Sequence, residues 1–425
     1  MNGRLKYIVI LCSAFLAGML VFGAVATKST APEEVYKHLA VFTEVLSRIK
    51  SDYVEEPDMK SVTLGALNGL LESLDPYASY LSAEQYKQYL RGKDSAKANV
   101  GLVISKKYGY IGIIAAIADS PAAKAGLSAG DMIETISGVS TRDMPLAYSE
   151  VMLQGDAGTT VELSVLRFRR PEPQKVALVR APVSFPEVTS KMLPDELGYV
   201  RVQSFDDGKV AALSSAIKAL ERQGAKKLIL DLRNNAVGNP QDGVTVANLF
   251  VDKGQLSYLM GQRYPRQDFE AEPAKAVFTK PLVVITNRGT ATAAEVAAAA
   301  LLESKRAEVV GERTYGDASV RKAVSLDDGS AVILSVAKFY SPSGKSIQDV
   351  GVTPSVPLAE FDGSPAASED EDEKPLEKKP SEDMLLKKAV EVLTKGVPVA
   401  DKKQPTEPRP NQDPGIFPSN IPRPR

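Results

Sequence analysis

Between Leu197 and Glu312 short apolar runs alternate with stretches of helical spacing, and no other feature limits the fold so strongly. "GYVRVQS" (198–204), "LILDL" (228–232), "PLVVIT" (281–286) and "EVVGE" (308–312) read as strands, while 207–223, 241–252 and 293–303 read as helices. Strands that stay apolar along nearly their whole length are buried on both faces. In a βαβ series this means a largely parallel sheet covered by helices. Sites in such sheets form where strand ends meet helix starts. The segment "RGTATAAEV" (288–296) is such a junction, and it offers two threonine hydroxyls and no serine.

The 425 residues are enough for two or three domains. A net charge of -1, with both signs interspersed, gives no nucleic-acid surface and favours neutral partners. The scarcity of two residue types excludes more. Cys12 and His38 are the single cysteine and histidine, so internal disulfides, structural zinc sites and Cys-His catalysis are out. A Ser-His-Asp triad could draw only on His38, which lies between apolar turns of an amphipathic helix and reads as a surface residue. Hydrolysis would have to run on Lys, Asp, Glu, Ser or Thr, and neither a metal nor another cofactor is expected.

Arg4 and Lys6 precede an apolar run from Tyr7 to Ala26, long enough to span a bilayer as a helix. "GAVA" (23–26) also suits a cleavage site, so residues 1–27 are a signal anchor or a signal peptide, with the anchor preferred. Either places the remainder outside the cytoplasm, on the periplasmic or extracytoplasmic side of a bacterial cell envelope. Next, Val35, Leu39, Phe42, Leu46 and Ile49 form one helical stripe, and Leu64, Leu67, Leu70, Leu71 and Leu74 follow up to the break at Asp75-Pro76. Residues 33–93 thus read as an N-terminal helical domain that either packs on the core or dimerises.

Over 97–185 the pattern changes to short strands and glycine turns. "DSPAAKAGLSAGDMIETISGV" (119–139) carries Ser-Pro-Ala-Ala, Ala-Gly-Leu and Gly-Asp elements whose joint spacing resembles the PDZ domain of exported bacterial proteases. Such domains add a peptide as a strand to a sheet edge and hold its terminal carboxylate on backbone N–H groups. The resemblance puts Asn99, Val100, Gly101 and Leu102 at that loop. Residues 363–425 are acidic and proline-rich, a composition of disorder, except that "SEDMLLKKAVEVLTKG" (381–396) has helical spacing.

Four further segments fix a family resemblance: "LDPYASYL" (74–81), "LILDLRNNAVGNP" (228–240), "VVGERTYGDASV" (309–320) and "AKFYSPSGKSIQDVGVTPSV" (337–356). In this order, around a PDZ-like segment, the chain resembles the carboxyl-terminal processing, or tail-specific, proteases from about residue 33 to 360. The resemblance implies an α/β fold: a crotonase-like, mostly parallel sheet core over 186–362, beside a β-rich PDZ domain and the small helical domain. It also implies a serine peptidase whose serine is activated by a lysine, itself held by a glutamine, and a homodimer.

Laid on the family's motifs, Thr292 stands at the serine, Glu295 at the family's glutamate, Asp317 at the lysine and Arg321 at the glutamine. Gly238 and Ala293 stand at the two oxyanion-hole amides, with Ala236-Val237 where the family has Pro-Gly. Threonine keeps the hydroxyl but adds a methyl and stiffens χ1. Aspartate for lysine is worse, because a partly exposed aspartate ionises near about 3.9 and is too weak a base for an alcohol. Asp317 and Arg321 instead suit an ion pair filling the former pocket. Lys322, Lys338 and Lys345 are the remaining lysines near the site and read as solvated.

The expected function is an exported protease homologue, inactive or strongly impaired, that binds protein C-termini through its PDZ domain as a scaffold or regulator. An active relative would be a natural heteromeric partner. The alternative is a working endopeptidase with Thr292 as nucleophile. An acyl-CoA enzyme on the same topology would need a CoA-binding feature, and none is recognisable.

Overall fold

The computed structural model describes residues 33–95, 98–107, 109–142, 144–167, 172–206, 208–359 and 383–395. The expected anchor over 1–27 lies outside them, as does most of the tail over 363–425. Among the described residues no helix is long and apolar enough to cross a membrane. The chain divides into two compact units, Met1–Leu67 and Asn68–Arg425.

The first unit holds helix α1 (Glu33–Asp52) and most of α2 (Met59–Glu72), which runs across the division. Leu39, Phe42 and Val45 on α1 are exposed.

The second unit continues with strand β1 (Ser79–Leu81) and helix α3 (Ala83–Ser95). Its PDZ region comprises β2 (Leu102–Lys107), β3 (Tyr110–Ala116), α4 (Pro121–Lys124), β4 (Met132–Ile136), β5 (Val139–Ser140), α5 (Leu146–Leu153), β6 (Thr160–Leu166) and β7 (Gln174–Val179). The antiparallel order is β2-β3-β4-β6-β7, with β5 on β4. Ser120 explains the short helix α4: its Oγ accepts from Ala123 N (3.2 Å), and Gly126, at φ 71°, ends the turn. Ile111, Ile133, Ile136, Val161 and Val165 bury fully beneath this sheet, each contributing about 1.5–3 kcal/mol of apolar burial.

The core sheet runs β17-β14-β13-β10-β9-β8, from β8 (Thr189–Leu193), β9 (Leu197–Arg201), β10 (Lys227–Asp231), β13 (Leu282–Thr286), β14 (Ala307–Gly311) and β17 (Val356–Pro357). Only β8 pairs antiparallel, so the sheet is mostly parallel, as the apolar runs require. Helices α6 (Lys209–Arg222), α7 (Pro240–Asn248) and α8 (Ala293–Glu303) share one hydrophobic cluster with it. Helix α9 (Met384–Lys395) buries Leu385, Ala389 and Val392 in another, against Ile229, Val283 and Ile285.

A second sheet, β1-β16-β11-β12 with β15 on β16, is antiparallel and was not anticipated. It is built from β11 (Gln255–Gly261), β12 (Tyr264–Glu270), β15 (Ser319–Ser325) and β16 (Ala331–Tyr340). Leu256, Leu259, Ala337 and Phe339 carry it into the cluster around α7 and α8. At that helix pair Gly243 is obligatory, since a Cβ there would lie 2.1 Å from the Ala293 carbonyl oxygen.

Candidate active site and peptide groove

Three loops leave the C-terminal ends of β10, β13 and β14 and are joined by hydrogen bonds, because buried loop amides need partners. Asn234 N donates to Asn287 Oδ1 (3.0 Å) and Asn287 Nδ2 returns a bond to Asn234 Oδ1 (2.9 Å). Thr290 Oγ1 donates to Leu232 O (2.9 Å), Ala291 N to Asn235 O (2.8 Å) and Tyr315 N to Thr290 O (2.9 Å). These bonds bring the three segments that hold Gly238, Thr292 and Asp317 into one seam.

Thr292 opens α8 at φ 55° and ψ -122°. An L-residue rarely adopts this conformation, and holding a β-branched one there costs on the order of 1–3 kcal/mol. Its Oγ1 is buried and makes no hydrogen bond to any described residue.

One turn into the helix, Glu295 is fully buried. Its carboxylate accepts from the Thr314 hydroxyl, from Gly316 N (2.7 Å) and from Asp317 N (2.7 Å). Burial pushes this carboxyl up to about 8, against the pull of those three bonds. The backbone at 316–317 is thereby pinned to the start of α8.

The Asp317 side chain is 8% exposed and ion-pairs with Arg321. The expectation of a partly exposed aspartate is therefore corrected: burial pushes Asp317 up, with Arg321 pulling the other way. The Arg321 guanidinium lies over the Tyr77 ring, 3.7 Å from its centroid. Tyr77 is presented by a turn in which Asp75 Oδ1 accepts from the amides of Tyr77 and Ala78, both at 2.8 Å. The two changed residues therefore satisfy each other, and neither is bonded to the Thr292 hydroxyl.

Of the two residues expected at an oxyanion hole, Gly238 has φ 134°, and a Cβ there would fall 2.7 Å from Phe205 Cβ, so only glycine fits. Val237 O accepts from Phe205 N (2.8 Å), and Ala236 packs with Ala291, Ile114 and Ala115, so Ala236-Val237 leave an ordered loop. Ala293 is the buried first residue of α8. Among the lysines, Lys338 pairs with Asp349 (3.2 Å), Lys345 with Glu303 (3.3 Å), and Lys322 is exposed.

The PDZ region meets this seam directly: Ile114 and Ala115 of β3 pack on Ala236 and Ala291, and Ser105 of β2 bonds the Tyr315 hydroxyl. Between β2 and α5 lies a groove of about 230 Å³ that Asn99, Val100, Gly101 and Leu102 line. Gly101 has φ 79°, and a Cβ there would sit 2.1 Å from Ser120 Cβ. Its amide donates to Asn99 Oδ1 (2.7 Å). Phe185 and Val237 close the groove from the core side.

Sequence reasoning missed the roles of Tyr77, Phe185 and Val237, and left Glu295 without one. Only Glu295, a carboxylate inside an otherwise alanine-rich helix start, carried a readable sign.

Comparison with known proteins follows the same division. A profile of peptidase family S41 matches residues 196–358, and one of the PDZ domain matches 112–167. A carboxy-terminal-processing protease of Bartonella bacilliformis is 31% identical over 356 residues, covering 83% of this chain and 82% of the relative. A carboxyl-terminal-processing protease of Synechocystis sp. is 32% identical over 362 residues, covering 83% and 82% respectively. Among solved structures, a photosystem II D1 C-terminal processing protease aligns with a TM-score of 0.63 at 31% identity, over 75% of this chain and 92% of that one.

Proposed function

The chain belongs to the carboxy-terminal processing proteases of peptidase family S41, and from that membership we propose that it binds protein C-termini while its peptidase chemistry is lost or strongly impaired. One observation carries the reading. Among the described residues the Thr292 hydroxyl has no hydrogen-bond partner, and the side chains at 317 and 321, where the family resemblance puts lysine and glutamine, are joined in an ion pair. An alcohol at neutral pH attacks an amide only if a group takes its proton. A carboxylate occupied by a guanidinium does not.

The PDZ groove supports the binding half. Its glycine loop and apolar walls keep the features that peptide capture by strand addition needs. Export, with anchoring through residues 7–26, is inferred from the Arg4 and Lys6 flank. The resulting role is a scaffold or regulator, with an active relative or a second copy of this chain as partner.

A second reading, an endopeptidase with Thr292 as nucleophile, is favoured by the strained backbone at that residue, a conformation that sharp nucleophile turns use. Restoring the family's residues tests both readings. Position 317 is nearly dry, so a lysine there would lose much of its charge and become a competent base. Cleavage of a peptide with an apolar C-terminus should rise by at least about 10³-fold in the triple variant Thr292→Ser, Asp317→Lys, Arg321→Gln over the unmodified chain. Equal cleavage by both, abolished by Thr292→Ala, would establish the second reading.

A further inference from the structure

Helix α9 is held to the core by few groups. A helix of 12 residues does not keep its shape in water unaided, so its order comes from docking. Leu385, Ala389 and Val392 bury against the core sheet, and an ion pair fastens the start of the helix. Asp383 makes that start in two ways. Its Oδ1 accepts from Leu386 N (3.0 Å), capping the helix. Its two carboxylate oxygens also take a fork of bonds from Arg233, Nη1 to Oδ1 (3.0 Å) and Nη2 to Oδ2 (2.7 Å).

Arg233 begins the loop that feeds both the pocket and the groove. It also bonds Asp231, the last residue of its own strand β10. That bond spans a single turn, whereas Asp383 ties the turn to a separate element. Next along the chain, Asn234 at φ 55° and Asn235 bond the 287–291 segment, which leads into Thr292. A Cβ at Gly289 would lie 2.6 Å from Asn234 Oδ1, so these two loops fit without slack and a shift in one is felt in the other. Farther on, Val237 walls the peptide groove.

We propose that α9 is a strap with Asp383 as its latch: docked, it fixes the 233–238 loop through Arg233, and undocked it loosens that loop together with the segment leading to Thr292. Anything that draws α9 off the sheet then acts at a distance on the pocket and on the wall of the groove. The strap works this way whether or not Thr292 reacts.

Hydrogen exchange of the full chain, read by mass spectrometry on peptides covering 232–239, 287–293, α9 and α6, tests it. Leu385→Asp puts a charge into the docking face. In this variant α9 should exchange like an unstructured peptide, and the two loop peptides at least about fivefold faster than in the unmodified chain. Helix α6, whose buried face belongs to the other hydrophobic cluster, should not change. Asp383→Asn keeps a capping side chain but removes the charge that Arg233 holds, and should speed the same loop peptides at least about twofold. A freed α9 with loop rates unmoved would overturn the strap, leaving the helix a mere cover. So would an α9 that stays protected in Leu385→Asp, or a rise at α6 as large as that in the loops. Loop rates unmoved by Asp383→Asn would overturn the latch.

Discussion

The peptide groove and the pocket around Thr292 touch each other, yet differ in what their residues allow. In the groove, the glycine with positive φ, the Ser120 cap and the apolar walls all agree with a peptide-binding geometry. In the pocket the backbone keeps a form suited to chemistry, with a strained Thr292 and an obligatory Gly238, but the side chains do not. Scaffold and reagent are thus separable. The loops are fixed by buried hydrogen bonds that many side-chain changes leave intact, whereas proton transfer depends on one amine. The family fold therefore does not by itself require the family's side chains at 292, 317 and 321.

Breaking the pocket should leave the groove working. Glu295→Ala strips the Thr314 hydroxyl and two amides of their acceptor, and should cost about 3 kcal/mol in denaturant unfolding while peptide affinity changes by less than about twofold. A comparable loss of peptide affinity would mean that the two regions are one unit. The same carboxyl sets a pH dependence. Because its folded value, about 8, lies above its ordinary range, the folded state holds a proton that the unfolded chain releases. Stability is fully present below about 4.5 and should fall as pH rises towards 8, with a slope of up to about 1.4 kcal/mol per unit. Glu295→Gln should flatten that slope.

The reverse experiment breaks the groove. Gly101→Ala forces a Cβ against Ser120 in a left-handed backbone, and should weaken peptide binding at least about tenfold, with unfolding destabilised by about 1–3 kcal/mol. Smallest is the ion pair. Asp317→Ala removes a buried carboxylate, but Arg321 keeps the Tyr77 ring and is about a third exposed, so a loss of about 1 kcal/mol in unfolding is expected. A much larger loss would show that the pair holds the fold together beyond satisfying its own two side chains.

The parallel core was legible because β9, β10, β13 and β14 are apolar nearly throughout and separated by helical spacing. The pairing of Asp317 with Arg321 was legible because the flanking motifs fix both positions and an acid beside a guanidinium suits an ion pair. The antiparallel second sheet was not: β12 is polar and exposed, and β16 alternates, so neither carries the burial pattern of the core strands. Nor was Tyr77 beneath Arg321, since a contact across more than two hundred residues leaves no local periodicity. The burial of Asp317 escaped for a related reason. It depends on Glu295 holding the 316–317 backbone inside, which composition alone does not reveal.

The most direct measurement is mass spectrometry of the unmodified chain after incubation with an activated ester of an apolar peptide, read at the segment that contains Thr292. The account predicts intact peptide held in the groove and no mass added to that segment. An acyl group on the Thr292 oxygen would contradict it.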